Sequence, residues 1–312
     1  TGIGYTMEHT WKPSVENNQK KTINIEIFNI AYMDDTTWIG NSKKSIEQQL
    51  EIANKFNRFN GIKVNPEKSK LLIINSSESH ENNYVKYGSN ETIIYPTKQD
   101  DSIRFLGVWI SSKNNKNFIK KQIRKDIGNI YNTIKGKIIT AEQMAYIINM
   151  VVIPRIEYKA NLTIFNETEA KNLTARLRQL MRYKIRISNT APNVLFKNKD
   201  LFNLIDLFDR QIEAHIANLV FRLNDKETLG KSSEIRLRQL QTKEWLHDNP
   251  LEIWGYNVIN MFKNNLIAQI LCITNYLGLE INYIGKNKNS EFKIEEENIR
   301  FSGFSEKNIE KI

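Results

Sequence analysis

From Thr22 the chain alternates apolar and polar positions (Ile23, Ile25, Ile27), then runs almost unbroken through Ile30, Ala31 and Tyr32. The alternation reads as a strand with one covered face, and the closing run as a strand entering a sheet. "TTWIG" after Met33-Asp34-Asp35 is rich in β-formers, so 22–40 is expected to be a hairpin with those three residues near its tip. Ser42 suits a helix N-cap, Ile46, Leu50, Ala53 and Phe56 follow at helical spacing, and Asn60-Gly61 suits a left-handed close. "IKVNPEKSKLLII" reads as a short strand, an Asn-Pro turn and a second strand at 71–74. A polar loop is expected over 75–92 and a strand over 102–111.

Beyond 112 the period changes from two to 3.6. Ile119, Ile123, Ile127, Ile130 and Ile134 form one helical stripe. Thr140 with Gln143 makes a capping box for a helix expected to stop before Pro154. Leu173, Leu177, Leu180 and Met181 face inward on a helix over 167–186, and Leu201, Ile205, Phe208, Ile212, Ile216, Leu219 and Leu223 keep register over 200–224. His215 lies beside that stripe and reads as a core or boundary histidine. One more helical stretch is expected near 252–277.

Charge sharpens this picture. The 312 residues carry a net charge of +10. Residues 111–190 hold 16 Lys/Arg against 5 Asp/Glu, a net of +11, which leaves −1 for the rest. That concentration points to an acidic partner, most simply nucleic acid, although a solvated basic face has the same composition. The lone cysteine, Cys272, excludes an internal disulfide and a thiolate metal cluster, and fits an intracellular location. No run reaches the ~20 apolar residues of a membrane span.

The chemistry sits in "AYMDDTT". Two adjacent carboxylates repel each other, and a pair of hard divalent cations offsets that repulsion. Two metals bridging such a turn are the arrangement used for phosphoryl transfer. An Asp pair also suits a plain polar turn, which is how Asp100-Asp101 reads.

The order "YMDD … helix … GIKVNPEKSK … IRFLGVWIS … basic helices" resembles a reverse transcriptase, most nearly those of LINE-like (non-LTR) retrotransposons, over about 1–225. The resemblance implies an α+β fold: a partial palm of antiparallel sheet with a packed helix at 1–111, a basic helical thumb at 112–190, and a helical C-terminal region at 191–312. It implies RNA-directed DNA polymerisation, with an RNA template and a DNA primer as partners, and a nuclear location. Asp34 and Asp35 would hold two Mg²⁺ ions; Tyr32 and Met33 would line the primer end and the nucleotide. LINE-type elements more often carry Ala where Met33 stands, whereas Met is familiar in retroviral enzymes. Lys68 would stand at the position of a proposed general acid for the leaving pyrophosphate, and is otherwise a turn lysine. Phe105, Leu106 and Gly107 would hold the primer backbone; a core strand with a glycine for close approach is compatible with that role. Lys120, Lys121, Arg124, Lys125, Arg178 and Arg182 would meet phosphates of the duplex.

One element of the family pattern is missing. A third carboxylate belongs on an earlier strand, with nucleotide-binding fingers around it. Only Glu8, Glu16 and Glu26 precede Tyr32, none in that context. The chain therefore reads as an N-terminally truncated piece, inactive alone, and the alternative is a non-catalytic nucleic-acid-binding remnant of a decayed element. Loss of a neighbouring strand would also leave an apolar sheet edge beside the 22–40 hairpin.

Overall fold

The computed structural model describes residues 3–11, 20–75, 83–88, 92–98, 101–113, 116–246, 250–251 and 265–277. The fold is α+β: strands in the first third, helices afterwards. Among the described residues, eight strands pair as four antiparallel hairpins, β1 (Tyr5–Trp11) with β2 (Lys21–Ile27), β3 (Asn29–Tyr32) with β4 (Asp35–Trp38), β5 (Val85–Tyr87) with β6 (Thr92–Ile94), and β7 (Ile103–Phe105) with β8 (Val108–Ile110). The helices are α1 (Lys43–Phe59), α2 (Lys116–Lys135), α3 (Ala141–Ile147), α4 (Ile153–Lys159), α5 (Glu167–Ile185), α6 (Val194–Lys197), α7 (Leu207–Asn224), α8 (Thr228–Lys243) and α9 (Leu266–Tyr276).

The hairpin expected over 22–40 forms only between Asn29 and Trp38, because Lys21–Ile27 pairs with β1 instead; the helix that follows it forms as expected. Ser42 caps α1, its hydroxyl accepting from the Ser45 amide at 3.2 Å, and Gly61 closes it at φ 69°. Gln49 on the covered side of α1 is 2% exposed; its amide donates to Ile39 O at 3.0 Å and also to Ile3 O. One buried side chain thus ties the exit of β4 to the entry of β1, which satisfies carbonyls that end both hairpins. The outer edge of the stripe is not covered, and Phe56 is 62% exposed.

The β1–β2 hairpin was not anticipated. Tyr5, Met7, His9 and Trp11 alternate with exposed neighbours, and that half-buried face packs on α8. His9 Nε2 lies 3.0 Å from Thr242 Oγ1, and the Arg238 guanidinium lies 5.0 Å from the Trp11 ring. The C-terminal region therefore covers the N-terminal hairpin. α8 starts tightly: Asp225 accepts from the amides of Glu227, Leu229 and Gly230, and a Cβ at Gly230 would sit 1.7 Å from Asp225 O.

Several local expectations are corrected. Residues 62–64 and 71–74 form no strand; Leu71 makes only an isolated bridge to Pro96. The loop expected over 75–92 contains β5 and the start of β6, while 76–82 and 89–91 lie outside the described residues. The strand expected over 102–111 is a hairpin, reversed at Leu106-Gly107. The helix expected to stop before Pro154 continues instead through a π-helical segment, Ile148–Val152, into α4; the wider π turn just ahead of Pro154 accommodates its ring and missing amide hydrogen. The helix expected from 200 starts at Leu207, where Asp206 accepts from Phe208 N at 2.8 Å; Leu201 is 54% exposed. Of the stretch expected near 252–277, 252–264 lie outside the described residues.

The main core joins the α2 stripe (Ile119, Ile123, Ile127, Ile134) to Met144, Leu173, Leu177, Leu180 and Met181. A second core lies between α7, α8 and α9 around Ile216, Leu219, Leu237 and Ile270. His215 is 6% exposed at its border, and burial first, with the charge of Arg222, lowers its pKa to about 4 against a hydrogen bond to the Thr163 backbone.

This histidine predicts an acid-sensitive fold. Above pH 6.5 the ring is neutral folded and unfolded, and it contributes no pH dependence. As pH falls from 6.5 towards 4 the unfolded chain gains a proton that the folded chain refuses, so stability drops, by an order-of-magnitude total of about 3 kcal/mol. Thermal unfolding of wild type against His215→Gln between pH 7 and pH 4 checks this; equal pH slopes would contradict it.

Candidate functional site

Tyr32 pairs with Asp35, so Met33 and Asp34 are the two central residues of the β3–β4 turn. Met33 has φ 54° while Asp34 does not share a positive φ, the pattern of a type II′ turn, whose first central position favours glycine. A methionine there costs roughly 1–2 kcal/mol. The turn sets Asp34 at the tip and Asp35 at the first position of β4, both exposed, beside Tyr32 (56% exposed) and Met33 (87%). Phe28, Ile30 and Tyr32, at strand spacing on one face, leave an apolar surface next to them.

The donor chemistry suits a hard divalent cation, since both groups are carboxylates. The set is incomplete by itself: among the described residues no three His, Cys, Asp or Glu side chains cluster as a metal site. Glu8 and Glu26 lie in the β1–β2 hairpin, where Glu8 stands opposite Asn24 and Glu26 accepts from the Gly4 amide at 2.9 Å. Lys68 ends an exposed 3₁₀ turn, Pro66–Lys68, held by Asn65, whose side chain accepts from the amides of Glu67 and Lys68 at 3.0 and 3.4 Å. No hydrogen bond or ion pair among the described residues joins Lys68 to Asp34 or Asp35.

Phe105 ends β7, and Leu106 and Gly107 make the turn to β8, both at positive φ (46° and 86°), the type I′ pattern. Tyr158 of α4, which sequence reasoning passed over, donates its phenol to Leu106 O. A Tyr four residues after Pro154, half exposed, offered no periodic signal.

The basic helices divide their charges between two uses. Lys121, Arg124 and Lys125 are exposed on α2, opposite its isoleucine stripe. The other three candidates are engaged within the chain. Lys120 pairs with Glu169 at 2.5 Å; burial alone would raise the Glu169 pKa, but Lys120 and the Asn166 amide hold the carboxyl below its usual value. Arg178 donates to Thr174 Oγ1 at 2.6 Å and to Lys171 O, and burial lowers its guanidinium pKa, against the pull of Asp206. Arg182 donates to Ala191 O at 2.9 Å and Asn193 Oδ1 at 2.6 Å, and its guanidinium stands 5.0 Å over the Phe196 ring. These three brace the helices. Among the described residues no helix is long and apolar enough to cross a membrane.

Residues 6–110 match the family model described as reverse transcriptase (RNA-dependent DNA polymerase). The matched segment, about a third of the chain, ends with β8 and contains the Met33–Asp35 turn and the Leu106-Gly107 turn. This strand-bearing segment is thus similar to a reverse transcriptase domain. No curated protein matches the chain.

The split among the arginines is testable. Arg182→Ala is expected to lower stability by about 2 kcal/mol, through two hydrogen bonds and a cation–π contact. Arg124→Ala is expected to leave stability within about 0.5 kcal/mol and to flatten the log–log salt dependence of duplex binding by about one. Denaturant unfolding and binding titrations at several salt concentrations check both; the reverse pattern would contradict the assignment.

Proposed function

We propose that this chain carries the catalytic turn of an RNA-directed DNA polymerase of LINE-like type, with residues 1–111 as part of the palm, 112–190 as the thumb and 191–312 as a helical region closing on the N-terminal hairpin. The observation that carries the reading is the strained β3–β4 turn, which sets Asp34 and Asp35 side by side within the family-matched segment. Asp34 and Asp35 would hold two Mg²⁺ ions, which supply activation of a primer 3′ hydroxyl and neutralisation of the departing pyrophosphate. Tyr32 and Met33, exposed beside the carboxylates, would flank the primer end and nucleotide. Lys68 would face the leaving group, its position set by the Asn65-capped turn. Lys121, Arg124 and Lys125 would hold duplex phosphates without reading sequence. Catalysis at this turn calls for a third carboxylate besides this pair, so 1–312 alone is expected to bind a primer–template without extending it.

The test uses the full chain with an RNA template, a DNA primer, Mg²⁺ and deoxynucleotides. Salt-steep duplex binding, tightened by Mg²⁺ and nucleotide in wild type but not in Asp34→Asn, supports the reading. Any extension that occurs should fall by about two orders of magnitude or more in Asp34→Asn. Duplex binding with identical Mg²⁺ and nucleotide dependence in the two proteins would instead identify a non-catalytic binding module.

A further inference from the structure

The tip of the β7–β8 hairpin is built against the helices. Leu106, at φ 46°, carries a left-handed strain that only surrounding contacts can hold. Tyr158 supplies them twice. Its phenol donates to Leu106 O, and its ring lies so close to Gly107 that a Cβ built there would be 2.8 Å from Cε1. On the second strand of the hairpin, Trp109 packs edge-on against Phe118 of α2, with centroids 5.0 Å apart.

The helix that carries Tyr158 is itself fastened. Its neighbour Lys159 pairs with Asp126 of α2, with Arg155 3.7 Å from the same carboxylate. Just before it, Asn149 of the π segment donates to Asn203 O at 2.8 Å and accepts from Ile205 N at 2.9 Å. Tyr158 therefore reaches out from an anchored platform that includes α2, the helix bearing Lys121, Arg124 and Lys125. Tyr158 itself remains 55% exposed beside the hairpin tip.

We propose that Tyr158 is a positioning residue: it latches the Phe105–Gly107 tip to the basic helices, so that hairpin and helices meet a primer–template duplex as one unit. The role in duplex binding rests on the reverse-transcriptase reading; the latch itself does not. Without the phenol, the tip relaxes from its left-handed turn independently of the helices, and a duplex held on α2 no longer finds the hairpin in place.

Hydrogen exchange on the full chain, with and without an RNA–DNA primer–template, tests both halves. Tyr158→Phe keeps the ring and removes one hydrogen bond, so the fold is preserved. Amides of 106–108 are expected to exchange roughly five- to tenfold faster in this variant. Gly107→Ala, which crowds the ring, is expected to speed the same amides. In wild type the duplex should slow exchange at both 105–108 and 119–126. In Tyr158→Phe protection at 119–126 should persist while that at 105–108 is lost. Unchanged exchange at 106–108 in Tyr158→Phe overturns the latch. Duplex protection of 105–108 retained in the variant overturns the positioning role. A wild-type chain that the duplex protects nowhere refutes the polymerase reading and with it the role in duplex binding, while the duplex-free comparison still decides the latch.

Discussion

Two like charges, one in a two-residue turn and the other on the strand residue that follows it, are the constraint around which the strand-bearing third is arranged. The register that pairs Tyr32 with Asp35 leaves no slack: one residue of the turn must take left-handed backbone, and Met33 takes it at a cost. A turn that carries both strain and charge repulsion persists only if its flanks are well held. They are. The ladder continues past β4, with Ile39 donating to Phe28 O at 2.8 Å, and Gln49 fixes the same segment to α1. On the proposed reading, divalent cations are the partner that carboxylate chemistry favours for the two aspartates.

What was legible in the sequence was local. The cap at Ser42 and the capping box at Thr140 and Gln143 formed as read, because each is written in the side chains of a few consecutive residues. The β3–β4 hairpin was legible because β-rich runs flank a polar pair. The reversal at Leu106-Gly107 was hidden, since an apolar Leu occupies a position that usually holds Asn or Asp, and the turn is held from α4, some fifty residues away. α8 was missed for a related reason: its apolar residues are sparse, and it is stabilised by a hairpin more than two hundred residues earlier. The start of α7 shows propensity yielding to capping, because Leu201 and Ile205 keep the helical period yet Asp206 begins the helix after them.

Among the residues proposed for the site, those left exposed and those engaged by packing carry the same signal in the sequence. Asp34, Asp35, Lys121, Arg124 and Lys125 stand exposed. Lys120, Arg178 and Arg182 have the same composition signal but spend their donors on Glu169, Thr174 and the 191–193 segment. A net charge count does not separate these uses; only partners do.

The central claim is that Asp34 and Asp35 form a metal-holding turn. Paramagnetic line broadening by Mn²⁺, measured residue by residue on the full chain with primer–template and nucleotide present, tests it most directly. The account predicts broadening centred on residues 32–36 that disappears in Asp35→Asn. Broadening spread over surface carboxylates, or identical in the variant, would contradict it.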